Sequence, residues 1–190
     1  MQTYPVASGL YDPRFEHDSC GVSFVAHMRG VASNELVRTG LSALCNLEHR
    51  GATGAEADTG DGAGILVQIP DRLLRDVVDF ELPPVGRYAV GIAFLPVDEN
   101  LRDKAQDQIE TIVVDCGLTV LGWRDVPIQP DCLGKTARAA MPAFRQLFVS
   151  SPSGASGIAL DRLTFVARKR IEHELPPELR SYFSSLSART

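Results

Sequence analysis

Cys20 combines a nucleophilic side chain with a position that favours its use in catalysis. It opens the short apolar run Cys20–Ala26, which is typical of a buried strand. The residues before it, 15–19, are polar and fit neither strand nor helix periodicity. If the chain is cut after Ser19, Cys20 carries a thiol with a pKa of about 8.5 and an α-amine with a pKa of about 8 that serves as its base. The pattern therefore predicts an N-terminal cysteine nucleophile behind a leader or propeptide of residues 1–19.

The other roles open to the cysteines are structural or metal-binding. A buried structural thiol is the commoner fate of a cysteine beside apolar residues, and it is the alternative for Cys20. Helical periodicity places Cys45 and Cys116 in the core, whereas Cys132 lies in a loop and has no predicted role. No C-x-x-C unit is present, which disfavours zinc and iron–sulfur sites. The segment 16–20 holds metal-ligand residue types, but they are too close in sequence for a tetrahedral site.

Two further segments contain residue types suited to a catalytic pocket. His49, Arg50 and Gly51 follow a helical pattern, and the glycine-rich segment Thr59–Ile65 comes soon after. The glycine spacing fails both the dinucleotide fingerprint and the P-loop. Two interpretations of this segment stay open. One is a tight turn into a strand, where the backbone approaches another element. The other is a wall of the pocket around Cys20.

The order of these motifs resembles a known family. The motifs are Gly9–Pro13, Glu16–Val22, Leu47–Ala52 and Thr59–Ile65, with further similarity at residues 122–127, 165–170 and 182–190. In this order they resemble the amino terminus of the glutamate synthase large subunit. That region is a class II glutamine amidotransferase domain, a member of the N-terminal-nucleophile hydrolases. The resemblance covers nearly the whole chain and implies an α+β fold, a four-layer αββα sandwich that is incomplete here.

The resemblance also implies a reaction. Cys20 attacks the side-chain carboxamide of L-glutamine, and a γ-glutamyl thioester is then hydrolysed to glutamate while ammonia leaves. In the family this ammonia converts 2-oxoglutarate into glutamate, with FMN and an iron–sulfur cluster that lie outside this chain. The implied partners are L-glutamine, the remainder of the large subunit and a small NADPH-oxidising subunit.

Arg50 is the second site residue that the resemblance implies, since the family arginine lies near the nucleophile and organises the substrate pocket. A guanidinium has fixed donors suited to carboxylates and carbonyls. The alternative is a surface or interloop ion pair. His49 is expected to be structural, because the N-terminal amine makes a histidine base unnecessary.

The resemblance implies that residues 20–190 form only the N-terminal part of the domain. In the family, the Asn-Gly oxyanion donors and the residues that bind the α-carboxylate and α-amine of glutamine come later. Two functions therefore stay open: an amidotransferase piece that is active when the rest of the domain is present, and a non-catalytic fragment or interaction module. A redox or metal protein built on the four cysteines is disfavoured by their spacing.

Composition restricts the partners. The formal net charge is −5, which disfavours a nucleic-acid surface. The longest apolar runs are far short of a membrane span, and the N-terminus does not fit a secretory signal. Together with the resemblance, these features predict a cytoplasmic protein.

Hydrophobic periodicity predicts alternating strands and helices, with Ser33 or Asn34 capping the first helix. Predicted strands cover residues 20–27, 63–69, 87–95, 118–124, 144–150 and 162–169, and predicted helices cover 34–47, 71–79 and 98–116. In the strand at 87–95 both faces are apolar, which predicts that it is covered on both sides.

Overall fold

In the computed structural model of this chain, the structure describes residues 7–9, 12, 21–51, 56, 60 and 62–189. The chain divides into two compact units. Unit 1 contains Met1–Ile65 and Cys132–Thr136, and unit 2 contains Leu66–Asp131 and Ala137–Thr190.

The described elements are helices and strands in nearly regular alternation. They are α1 (Asn34–Asn46), α2 (Asp71–Val77), β1 (Tyr88–Leu95), α3 (Glu99–Asp115), β2 (Thr119–Asp125), α4 (Lys135–Ala140), β3 (Ala143–Ser150), α5 (Gly157–Glu174) and β4 (Tyr182–Phe183). Short 3₁₀ turns lie at Glu48–Arg50, Pro130–Cys132 and Pro177–Leu179. Among the described residues, no helix combines the length and the apolarity needed to cross a membrane.

Unit 2 is built on one four-stranded sheet with the order β2-β3-β1-β4. Each neighbouring pair is antiparallel, so β1 and β2 run parallel to each other, as do β3 and β4. Helix α3 makes the first parallel connection and α5 the second. The described sheet therefore has split β-α-β topology, and its antiparallel pairing confirms the α+β class.

One face of the sheet is covered by the two connecting helices. Ala89, Ala93 and Leu95 of β1 point to this face and pack in the main core cluster. The helices contribute Ile109 and Val113 from α3, and Leu160, Ala167 and Ile171 from α5. All of these side chains are 2% exposed or less, so this interface is almost completely buried.

The opposite face of β1 is covered at one end by the segment that contains α2. Tyr88 and Val90 pack there with Phe148 and Leu74. The phenol of Tyr88 donates to Asp71 at 3.0 Å, and burial raises the pKa of Tyr88 well above its ordinary value. The prediction that this strand is covered on both sides is confirmed at the Tyr88 end, whereas Ile92 and Phe94 are only half-buried.

The residues after β4 form a strap, residues 184–189, that continues alongside β1. Val90 exchanges two backbone hydrogen bonds with Ser187, at 2.9 and 3.1 Å. The pairing shifts by one residue between Phe183, opposite Ala93, and Ser187, opposite Val90, so an extra residue bulges over Gly91. A Cβ at Gly91 would lie 2.0 Å from the carbonyl oxygen of Ser185, which only glycine avoids.

Unit 1 contains α1, whose N-cap is Ser33. The Ser33 hydroxyl accepts a hydrogen bond from the backbone N–H of Leu36 at 3.3 Å. The helix prediction is confirmed, but the predicted buried face is wrong, because α1 has no buried residue. Cys45 is exposed, so its predicted core position is wrong as well.

Three predicted strands are wrong. Residues 21–27 and 63–69 have no strand pairing among the described residues, and Val22 and Phe24 are 88% and 92% exposed. A strand forms only where a second strand satisfies its backbone groups, so an apolar run alone does not make one. Residues 162–169 belong to helix α5, since its buried positions, 160, 164, 167 and 171, follow helical spacing.

Candidate active site

Cys20 lies outside the described residues, and its neighbour Gly21 marks the local environment. Gly21 packs directly on Leu47, since a Cβ at Gly21 would meet the Leu47 Cδ2 atom at 2.9 Å. Leu47 opens the segment that contains His49 and Arg50. Within unit 1, the backbone at Gly21 therefore lies against Leu47, at the C-terminal end of α1.

The Leu47–Gly51 segment is fixed by backbone hydrogen bonds at the end of α1. The Leu47 N–H donates to the Leu44 carbonyl at 3.0 Å, and the Arg50 N–H donates to the Leu47 carbonyl at 2.8 Å. These bonds make the 3₁₀ turn Glu48–Arg50 a direct continuation of the helix. The exposed Arg50 side chain thus stands on a backbone held by α1.

His49 has a local hydrogen bond. Its Nδ1 donates to the Asn46 carbonyl at 2.9 Å, one helical turn earlier. This bond ties the imidazole to the C-terminal end of α1, in agreement with a structural role for His49.

The glycine-rich segment differs from its predicted structural role. Gly62 and Gly64 have no atom within 4 Å of an added Cβ, and neither has a positive φ. At Gly62 and Gly64 no close approach to another element is seen on the Cβ side, and the expected strand that follows them is wrong.

Glu56 and Thr136 form a contact that sequence reasoning missed. The Thr136 hydroxyl donates to Glu56 Oε1 at 2.9 Å, and the Thr136 N–H donates to Oε2 at 3.2 Å. Residues 132–136 belong to unit 1. The pair joins Thr136 of this segment to Glu56, which lies in the sequence between the two motif segments. The two residues are eighty positions apart, and no local pattern links them.

Cys116 and Cys132 occupy different environments. Cys116 is half-buried and packs against the main core, as predicted, and its Sγ lies 3.4 Å from Arg170 Nη1. Cys132 is exposed, on the 3₁₀ turn Pro130–Cys132. Within the described part of the chain, no group of three or more His, Cys, Asp or Glu residues could hold a metal ion.

Comparisons with known proteins match the motif evidence. The model of the class II glutamine amidotransferases matches residues 20–190. The chain is 42% identical over 189 residues to the glutamate synthase [NADPH] large chain of Bacillus subtilis, covering 98% of this chain and 12% of that protein. It is 40% identical over 178 residues to ferredoxin-dependent glutamate synthase 2 of Synechocystis, covering 92% of this chain and 11% of the relative.

A third relative is the glutamate synthase [NADPH] large chain of Azospirillum brasilense, at 36% identity over 188 residues, which cover 96% of this chain and 12% of the relative. The chain therefore spans about one eighth of the length of the curated relatives it matches. None of these comparisons supports the non-catalytic alternative. The family model and the relatives together place the chain in the class II glutamine amidotransferase family.

Proposed function

We propose that this chain supplies the nucleophile of a glutamine amidotransferase of the glutamate synthase type. The observation that carries the proposal is the packing of Gly21 on Leu47, the residue that precedes the 3₁₀ turn Glu48–Arg50. Its second support is the family match, which begins at residue 20. The proposed boundary, a leader of residues 1–19 followed by the domain, agrees with that starting point.

In the proposed reaction, the α-amine of Cys20 takes the thiol proton and the thiolate attacks the Cδ of glutamine. The resulting tetrahedral oxyanion collapses with loss of ammonia, leaving a γ-glutamyl thioester. Water then cleaves the thioester, so glutamine and water yield glutamate and ammonia. Arg50 is the proposed substrate-side residue, since its guanidinium offers paired donors to the oxygens of the substrate.

The proposed fold around this site is the four-layer αββα sandwich. Its support is the exposure of apolar side chains in unit 1, where Val22, Phe24 and Met28 are at least 88% exposed in an unpaired segment. Soluble proteins rarely leave such patches uncovered, so these residues are expected to pack against another layer of the proposed sandwich.

The remaining parts of the proposal concern the assembled enzyme. The names of its relatives are glutamate synthase [NADPH] large chain and ferredoxin-dependent glutamate synthase 2. We propose that ammonia released at Cys20 passes to a synthase region that holds FMN and an iron–sulfur cluster. The other proposed partner is a small NADPH-oxidising subunit, and the proposed location is the cytoplasm.

The test is the intact mass of the purified chain before and after treatment with a diazo-ketone analogue of glutamine. The expected result is a chain that begins at Cys20 and takes up one equivalent of label on that residue. Cys20→Ala should take up none, whereas Cys45→Ala should take up one, which controls for an exposed thiol elsewhere in unit 1. Retention of residues 1–19 without labelling, or a label mapped to Cys45 or Cys132, would contradict the proposal for this chain.

A further inference from the structure

A cavity in unit 2 combines charges of both signs. It has a volume of about 380 Å³ and lies where the first turn of α3 meets the end of β2 and the start of β3. Its lining residues are Glu99, Arg102, Asp103, Asp125, Ala143, Phe144 and Arg145. The volume is in the range of small-molecule sites, which extends upward from roughly 300 Å³.

The guanidinium of Arg145 is held in place from several sides. Its Nη1 donates to Gln106 Oε1 at 3.0 Å, and Nε lies 2.9 Å from Asp125 Oδ1. Its Cζ lies 6.0 Å from the centre of the Trp123 ring, whose Nε1 donates to Glu110 at 2.8 Å. These contacts fix the orientation of the guanidinium before any ligand arrives.

The held arginine keeps unused donors. Within the described part of the chain, Nη2 of Arg145 has no protein acceptor, whereas its Nε is buried beside Asp125. Arg102 is similar, since its Nη2 is 3.7 Å from Glu99, beyond hydrogen-bond distance. Two guanidinium groups at the same cavity therefore have N–H groups available for an anion.

Asp103 provides the opposite charge. It lines the same cavity, and among the described residues it makes no hydrogen bond or ion pair, whereas Glu99 and Asp125 each lie beside an arginine. A simple anion would meet three carboxylates here, and a simple cation would leave the arginine donors unused. A molecule with both charges satisfies both sets of groups.

We propose that this cavity binds a small α-amino acid, with its α-carboxylate between Arg102 and Arg145 and its α-ammonium on Asp103. The aliphatic part of the ligand lies against Phe144. Arginine is suited to this task because its paired N–H groups match the two oxygens of a carboxylate. All the residues that line this site belong to unit 2.

The test is calorimetric titration of the full chain carrying Cys20→Ala, with L-glutamine and L-glutamate as probes. Only the choice of these two probes rests on the proposed glutaminase reaction. Saturable binding is expected for at least one of them. Binding of 2-oxoglutarate, which lacks the ammonium, and of 4-aminobutanamide, which lacks the α-carboxylate, should be at least about tenfold weaker, as expected for loss of a charged hydrogen bond.

Variants assign the binding to this cavity. Arg102→Gln and Asp103→Asn should each weaken it by about tenfold or more. Asp107→Asn, an exposed carboxylate one turn further along α3, should leave it unchanged, and a thermal melt of each variant checks the fold. The absence of saturable binding, equal binding of 2-oxoglutarate, or binding insensitive to Asp103→Asn would overturn the proposal. Electrophile labelling of Cys20 reports on the proposed glutaminase separately, so failure of either proposal is distinguishable from failure of the other.

Discussion

Gly91 shows how a single residue fixes the path of the chain. The strap bulges over β1 at this position, and an added Cβ would lie 2.0 Å from the Ser185 carbonyl oxygen and 3.0 Å from the Leu186 Cα. Both are backbone atoms, so no side-chain rotation relieves the clash. The absence of a side chain at Gly91 is therefore a packing requirement of the sheet.

Gly91→Ala should lower the free energy of unfolding by about 1–3 kcal/mol, the usual cost of overpacking. Urea unfolding at neutral pH measures this change. Gly40→Ala is the control, because an added Cβ meets no atom within 4 Å in α1 and alanine favours the helix. Equal changes in the free energy of unfolding for the two substitutions would argue against the close approach of the strap backbone to Gly91.

Asp71 should make the free energy of unfolding depend on pH in the acid range. Two hydrogen bonds from Arg75, both at 2.9 Å, hold the pKa of Asp71 below its ordinary value, with a further contribution from the Tyr88 hydroxyl. The unfolded-state pKa of an aspartate is about 3.9, and the folded-state pKa is lower. The stabilisation that the Asp71 carboxylate contributes to the folded state is therefore fully present above pH about 4. It is lost as the pH falls through the folded-state pKa.

Urea unfolding between neutral pH and acid measures this dependence. Asp71→Asn should be less stable than the parent chain at neutral pH and should lose less stability on acidification. Asp76→Asn, an exposed carboxylate on the same helix, should behave as the parent chain does. Parallel curves for parent and Asp71→Asn would show that the carboxylate is not linked to folding.

At the scale of elements, α5 holds the strap in place with polar groups. The Asp161 carboxylate accepts from the Ser187 hydroxyl at 3.0 Å and from the Ala188 N–H at 2.7 Å. The fully buried Thr164 hydroxyl donates to the Leu186 carbonyl at 2.8 Å. The strap is thus anchored on α5 as well as on β1.

Thr164→Val should cost about 1–3 kcal/mol, because it leaves the buried Leu186 carbonyl without its side-chain donor while nearly preserving volume. Thermal or urea unfolding measures the loss. Thr111→Val is the matched control, since that hydroxyl is on the exposed side of α3 and donates only within its own helix. A neutral Thr164→Val would contradict the anchoring of the strap by α5.

At the scale of the whole molecule, the buried hydrophobic residues that the structure describes are unequally divided between the two units. Every buried hydrophobic residue among those the structure describes lies between Leu74 and Ala188, in unit 2. The described residues of unit 1 contribute none, and several of its large apolar side chains are exposed. Unit 2 therefore holds the hydrophobic stabilisation needed for independent folding.

A fragment of residues 66–190 should unfold cooperatively in urea, with coincident fluorescence and circular dichroism transitions. The full chain should in addition bind a hydrophobic dye through Val22 and Phe24, and Val22→Lys with Phe24→Lys should reduce that binding. Val97→Lys, at an exposed site of unit 2, controls for added charge. A fragment without a cooperative transition would contradict the independent core.

The sequence by itself determined the elements and motifs whose interactions are local. Helices α1, α2 and α3 were predicted to within two residues at each end, because their hydrogen bonds and their caps, Ser33 and Asp98, lie within a few positions along the chain. Strands β1, β2 and β3 followed from apolar runs bounded by turns. The motifs around Cys20 and Arg50 pointed to the family because their residue types and order are specific.

Tertiary structure decided whatever depends on distant partners. The apolar runs at 20–27 and 63–69 resemble strands locally, but a strand exists only where another segment accepts and donates its hydrogen bonds. The contact of Glu56 with Thr136 and the cavity shared by α3, β2 and β3 join segments that no local pattern relates. The requirement for glycine at position 91 likewise arises from a strap about ninety residues later, since folding alone brings the two backbones together.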